Sequence, residues 1–332
     1  MTIRQWGKPG KPANRAGLGC MSFGGAYGPT TKRDSFDAMA AALELGVDFW
    51  DTADIYGEGV SESLIGEFLA EDKTRRDKIV LATKFGNRVT PGGGRLVDNS
   101  VAYLNECIDA SLKRLGVDHV ELYYVHRLDK NIPIERTVDA MAPLIKAGKI
   151  GAIGLSEMAP DTLRRAHAVH PIAAMQSEYS LWTRTPEVGM LRTCRELGAS
   201  FVAFSTVGRG AFGGDVRDAE AFAENDFRRG MPRFQGGNWT RNRARIEKFA
   251  ALAQSWGVKP ATLANAWALA KDDNILIIPG TRTAAHLREN AAAGALKLTP
   301  DQIAAIETVL PAGFAAGDRY GEKQWGSAER YA

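Results

Sequence analysis

Asp51, Tyr56, Lys84 and His126 are residue types suited to moving a single proton. Asp51 stands where the apolar run of Val47, Phe49 and Trp50 turns polar, and Tyr56 follows in a turn closed by Gly57 and Gly59. A carboxylate can hold a lysine ammonium in place. An ammonium beside a phenol favours phenolate and pulls its pKa below the ordinary ~10, which makes it a better acid near neutral pH. A histidine at the same place can orient a carbonyl oxygen or share its proton. Taken singly, these residues read more simply. Asp51 and Tyr56 suit an Asx-type turn beside a half-buried ring, and Lys84 and His126 suit solvated loop positions. The chemistry requires that the chain bring them together.

The elements that would do so alternate. Short apolar runs predict strands at 16–21, 47–50, 79–83, 120–125, 152–155, 172–175, 200–203 and 275–278. Helical spacing of apolar residues, with Gly or Pro punctuation, predicts helices at 31–45, 61–69, 99–115, 134–147, 160–169, 190–197, 241–256, 262–270, 284–293 and 301–309. The continuous apolar character of 79–83 is that of a strand covered on both faces. Strand–helix alternation implies parallel pairing. Eight such units fit an α/β chain closed as a (β/α)₈ TIM barrel, with extended loops and a C-terminal helix and tail. No linker or shift of composition divides the chain. Residues 1–332 are expected to form a single domain, with 1–15 and 311–332 as extensions and 2–15 as a small hairpin or plug.

Composition narrows the classes. The formal net charge is +3, and basic and acidic residues are interspersed, which argues against nucleic acid. The three cysteines, at 20, 107 and 194, are widely spaced, which argues against a disulfide scaffold or zinc site and fits a reducing cytoplasm. No apolar run reaches the length of a membrane span, and the polar first residues lack the apolar core of a signal peptide. His167 and His170 have no carboxylate or thiol at ligand spacing, so no metal is expected. Nothing declares an oligomer interface, and a monomer is the default.

In a (β/α)₈ barrel the C-terminal strand ends carry function. Here they read Asp51, Lys84, His126-Arg127, Ser156-Glu157, Gln176-Ser177, Phe204-Ser205 and Pro279-Gly280-Thr281-Arg282. Seven polar or aromatic exits can converge on one mouth. A tyrosine acid beside a carbonyl, with no metal, suits hydride addition to an aldehyde or ketone. A protein has no hydride of its own, so a nicotinamide must supply it.

Phe49-Trp50-Asp51-Thr52-Ala53-Asp54-Ile55-Tyr56-Gly57, Thr83-Lys84, Val125-His126-Arg127, Ile153-Gly154-Leu155-Ser156, Gln176-Ser177-Glu178-Tyr179 and Ile278-Pro279-Gly280-Thr281 occur in that order. Together they resemble the successive motifs of the aldo-keto reductase family from about residue 18 to 310. The resemblance implies a (β/α)₈ barrel and NADPH-dependent carbonyl reduction, with Asp51, Tyr56, Lys84 and His126 as the catalytic tetrad and Tyr56 the general acid. It also implies cofactor contacts at Gly19 and Met21; Ser156, Glu157 and Gln176 around the carboxamide; and Phe204 under the ring. Ser205, Val207, Gly208, Arg209 and Gly210 would hold the pyrophosphate, Gly280, Thr281, Arg282 and His286 the 2′-phosphate, and Glu289 and Asn290 the adenine. Two positions depart from the common pattern. Glu157 stands where many members have Asn, and His286 where many have Arg, so NADPH is expected over NADH with Arg282 as the fixed cation.

Gly208-Arg209-Gly210-Ala211-Phe212-Gly213 matches G-x-G-x-x-G, but no helix begins there and no acid lies at the ribose position of a Rossmann unit. A Gly-rich lid over phosphates, within a 206–239 insertion, accounts for it better. Tyr27, Trp50, Arg127 and Trp182 are the substrate-binding candidates, with Tyr179, Tyr320 and Trp325 as further aromatics for a small carbonyl compound. The same family includes a nicotinamide-binding regulatory subunit of a membrane channel with little turnover. That alternative needs a docking surface, which the polar N-terminus does not offer.

Overall fold

The structure, a computed structural model, describes residues 15–330 apart from 91, 93, 215–217, 225 and 327. The expected N-terminal hairpin or plug, and Trp6 within it, lie outside the described residues except for Arg15.

Eight strands form one parallel sheet in sequential order. They are β1 (Leu18–Gly19), β2 (Phe49–Asp51), β3 (Val80–Phe85), β4 (Val120–Val125), β5 (Ile150–Ser156), β6 (Ile172–Glu178), β7 (Ser200–Phe204) and β8 (Ile275–Ile277). The sheet closes on itself: Gly17 N–H donates to Ile277 O at 2.7 Å, and Gly19 bridges Gly280 in parallel. The α/β TIM-barrel expectation therefore holds. Most helices fall within a residue or two of their expected limits. Thr31 caps Lys32–Glu44 through a capping box with Asp34, and Gly116 ends Val101–Leu115 in the left-handed conformation. The described residues from Gly208 to Phe234 run through short 3₁₀ turns, and the next helix begins at Gly236, inside the expected 206–239 loop and earlier than its apolar spacing suggests.

Period-two alternation sorts the strand residues between two cores. Phe49, Val80, Ala82, Leu122, Tyr124, Ala174, Val202, Leu276 and Ile278 fill the barrel interior. Trp50, Leu81, Tyr123, Val125, Met175, Phe201 and Ile277 face the surrounding helices. The same parity carried one step beyond the apolar layer points Asp51, Lys84, His126, Gln176 and Phe204 into the mouth. Gly154 is required here, because a β-carbon would meet the Tyr124 ring at 2.4 Å.

An antiparallel hairpin after β3, Asn87–Val89 with Arg95–Val97, was not expected from the strand reading. Its strands are only three residues each, too short for a period. The intervening Thr-Pro-Gly-Gly-Gly run was the signal available.

Candidate active site

A cavity of about 1560 Å³ opens at the C-terminal end of the barrel. That exceeds the roughly 300–1,000 Å³ of ordinary ligand pockets. On its floor Lys84 is fully buried and forms an ion pair with Asp51, itself 1% exposed. The ammonium also donates to Thr52 O at 2.8 Å and lies 3.5 Å from the Tyr56 phenol oxygen. Gln176 Nε2 donates to the second Asp51 oxygen at 2.8 Å. The His126 ring stands edge-on to Tyr56, with centroids 5.8 Å apart, and its Nδ1 is buried with no partner among the described residues.

Local sequence explains how these groups are held. The Tyr56 turn packs backbone to backbone on the Cys20–Gly24 turn, and a β-carbon at Gly24 would lie 2.5 Å from Gly57 N. Behind it, Ser61 donates to Cys20 O at 2.9 Å and shares a 2.9 Å bond with Thr52. The four non-glycine residues with positive φ among those described are Glu58, Glu157, Ser205 and Arg209. All lie on loops around the mouth, where such backbone strain tends to collect.

Burial dominates the electrostatics. It pushes the Asp51 carboxyl up and the Lys84 ammonium down, and their direct pairing opposes both shifts. His126 is held well below the ordinary histidine value, first by burial and then by Arg127 and Lys84, so its ring is neutral near pH 7. Tyr56 departs from expectation. Burial first, and the Asp51 carboxylate second, raise its pKa far above the usual phenol value. The net shift is upward, opposite to the downward shift the sequence predicts. Lys84 is engaged by Asp51 and Thr52, and the phenol stays protonated.

Asp51, Tyr56, His126, Gly19, Met21, Ser156, Gln176, Phe204, Ser205, Val207, Arg209, Gly210, Gly280, Thr281, Arg282, His286, Tyr27 and Arg127 all line the cavity. Lys84 lies just beneath it. Gly208 is buried behind the wall. Glu289 and Asn290 lie beyond it, on the helix Ala284–Ala291, where Asn290 accepts from Asn265 at 3.0 Å.

Three assignments are corrected. Trp50 has the parity opposite to Asp51. It is fully buried against Phe68 in the helix layer and donates to Val47 O at 2.9 Å, so it does not reach the mouth. Trp182 is 4% exposed and packs edge-on against Phe212 and Phe234, outside the cavity wall. Glu157 turns away from the cavity into a buried ion pair with Arg319, at 2.9 Å. Of the further aromatics, Tyr179 is buried and donates to Glu187 at 2.7 Å. Trp325 stacks edge-on against Tyr320, which does line the cavity.

The strand-exit reading missed the hairpin wall, Asn87, Arg95, Leu96 and Val97, and the far wall of Phe222, Phe227, Arg228 and Met231. Arg228 is held by Asp226 at 2.6 Å and stacks over Tyr27, its centre 5.2 Å from the ring centroid. Its place in the wall depends on how the 206–239 stretch folds back, which no local pattern encodes. Among the described residues no group of three His, Cys, Asp or Glu gathers as a metal site, and no helix is long and apolar enough to cross a membrane.

The chain is similar to known proteins over nearly its whole length. The Aldo/keto reductase family model matches residues 15–311. A probable aldo-keto reductase of Glycine max is 40% identical over 315 residues, covering 95% of this chain and 90% of the relative. An aldo-keto reductase of Schizosaccharomyces pombe, with NADP(+) in its name, is 39% identical over 92% of this chain and 90% of its own length. Among solved structures, the glycerol dehydrogenase of Gluconobacter oxydans superposes with a TM-score of 0.83 at 27% identity, covering 92% of this chain and 93% of that one. A holo-form aldo-keto reductase of Bacillus halodurans superposes at 0.73 and 26%, covering 95% and 97%. With its fold and nearly its whole length matched, the chain belongs to the aldo/keto reductase family of oxidoreductases.

Proposed function

We propose that the protein reduces an aldehyde or ketone to the alcohol, reversibly, with NADPH as hydride donor and Tyr56 as proton donor. The observation that carries this reading is the buried Lys84 between Asp51 and the Tyr56 phenol, 3.5 Å from the phenol oxygen, beside a neutral His126. The cavity has room for a dinucleotide and a small substrate together, and His126 and Tyr56 both line it. The NADP(+) relative supports the choice of nucleotide.

Bound NADPH would supply the hydride. Ser156 and Gln176 would face its carboxamide, Phe204 its ring, and Arg282 its 2′-phosphate. The chain's own part is the proton. Tyr56, kept protonated by burial and Asp51, donates its proton to a carbonyl oxygen within hydrogen-bond reach. The Lys84 ammonium then stabilises the phenolate left behind, and Asp51 with Thr52 fixes that ammonium. His126, neutral, orients the same oxygen by a hydrogen bond.

The test is titration with NADPH and NADH by protein fluorescence, then NADPH oxidation against a panel of aldehydes and ketones. Tight NADPH binding with turnover is expected. Tight binding with no turnover across the panel would favour a regulatory or redox-sensing subunit, and no nucleotide binding would overturn the reading.

A further inference from the structure

Five arginines line the cavity: Arg95, Arg127, Arg209, Arg228 and Arg282. Two are neutralised by buried carboxylates, Arg209 by Glu178 and Arg228 by Asp226. Arg282 follows β8, on the side read as the cofactor's phosphate end. Among the described residues Arg95 and Arg127 pair with no carboxylate. The acids on the wall do not answer them. Asp51 is held by Lys84, Asp218 accepts from the Glu220 amide at 3.0 Å, and Glu58 sits exposed on the rim.

Arg127 is only partly exposed. One of its nitrogens, Nη1, donates to His126 O at 2.6 Å and lies 3.3 Å from Ser156 Oγ. That fixes the guanidinium and leaves the rest of its donor fork unmatched. A partly buried cation without a counter-charge is costly to keep, and an arginine fork matches a carboxylate two bonds at a time. Arg95 comes from the hairpin that follows β3, and Arg127 from the end of β4. Sequential strand order around a closed barrel sets β3 and β4 across the mouth from β7 and β8. Both arginines therefore stand opposite the phosphate-side loops. Both also bear on His126, whose pKa they help to depress.

We propose that Arg95 and Arg127 form the anion-binding end of the substrate pocket, and that the physiological substrate is an aldehyde or ketone carrying a carboxylate. The carbonyl lies at Tyr56 and His126, the carboxylate at the two guanidiniums, and Leu96 and Tyr320 cover the carbons between. This rests on the carbonyl-reductase reading and narrows it from any small carbonyl compound to an acidic one.

The experiment compares 4-carboxybenzaldehyde with benzaldehyde, and succinic semialdehyde with butanal, by NADPH oxidation in the full chain. The wild type is expected to favour the acid of each pair by about tenfold or more in kcat/KM, chiefly through KM. Arg95→Ala and Arg127→Gln are each expected to lower that acid-to-neutral ratio about tenfold. Arg95 lies on an exposed hairpin, so its variant tests the idea even if Arg127→Gln folds poorly. A wild-type ratio near one, or a ratio that neither variant moves, overturns the proposal. So does a rise in the NADPH dissociation constant with the ratio unmoved, which would put the arginines on cofactor phosphate. Failure of all four aldehydes to turn over, neutral ones included, would instead count against the reductase reading itself.

Discussion

Arg319, near the end of the chain, and Glu157, at the end of β5, form a buried ion pair 162 residues apart in sequence, 3% and 0% exposed. The pair does not act alone. Glu178, Arg209 and Arg233 extend it into a buried network between the tail and the 206–239 stretch. Glu329 reinforces the dock: its carboxylate accepts from Ala159 N–H at 2.7 Å, at the start of the helix Pro160–Val169, which has no side-chain cap of its own. A charge at position 157 next to the proposed carboxamide contact is thus spent on fastening the tail over the cavity, where Tyr320 forms part of the wall.

Removing one partner of a buried ion pair leaves the other charge uncompensated. Arg319→Ala is expected to destabilise the protein by about 3 kcal/mol in urea unfolding and to expose the tail to limited proteolysis. Glu157→Gln combined with Arg319→Gln should recover part of that loss. Unchanged stability and proteolysis in Arg319→Ala would mean the tail is held by other contacts.

Tyr56→Phe keeps the ring and removes the proton. Carbonyl reduction is expected to fall by about 10²-fold or more, with the NADPH dissociation constant little changed. Loss of nucleotide binding in this variant, measured by fluorescence titration, would assign Tyr56 a structural role.

Asp54 supplies a pH dependence of stability. Burial, then the charge of Glu62, pushes its carboxyl up to about 7. The folded protein therefore holds this proton more tightly than the unfolded chain. Stability falls as pH rises from the unfolded value of about 4 through the folded value near 7. Asp54→Asn, which cannot ionise, should gain stability over the wild type, and the gain should be about 3 kcal/mol larger at pH 8 than at pH 5. Urea unfolding of both proteins at the two pH values measures it. A gain independent of pH would show that Asp54 does not titrate in this range.

Arg282 lines the cavity after β8 and donates to Pro29 O at 3.4 Å. Arg282→Ala is expected to weaken NADPH by about tenfold or more and NADH by much less, in paired titrations. Equal weakening would move the 2′-phosphate elsewhere.

The sequence by itself determined the barrel and the members of the floor. Strand and helix periods are local, so the order of elements and most of their limits could be read along the chain. Their places at strand exits were enough to bring Asp51, Lys84 and His126 to one mouth, and the two-residue alternation within strands aims them the same way. Applied one residue earlier it would also have turned Trp50 into the helix layer.

Only the tertiary structure decided which charges meet. Gln176 reaches Asp51 across 125 residues, and Arg319 reaches Glu157 across 162; no spacing along a chain encodes such pairs. It also decided the sign of the Tyr56 shift. A pKa depends on the balance of burial against charge at a point in space, and here burial and Asp51 prevail. That Arg95 and Arg127 meet no carboxylate among the described residues is legible only there as well, because such an absence shows only once the acids near an arginine have been placed.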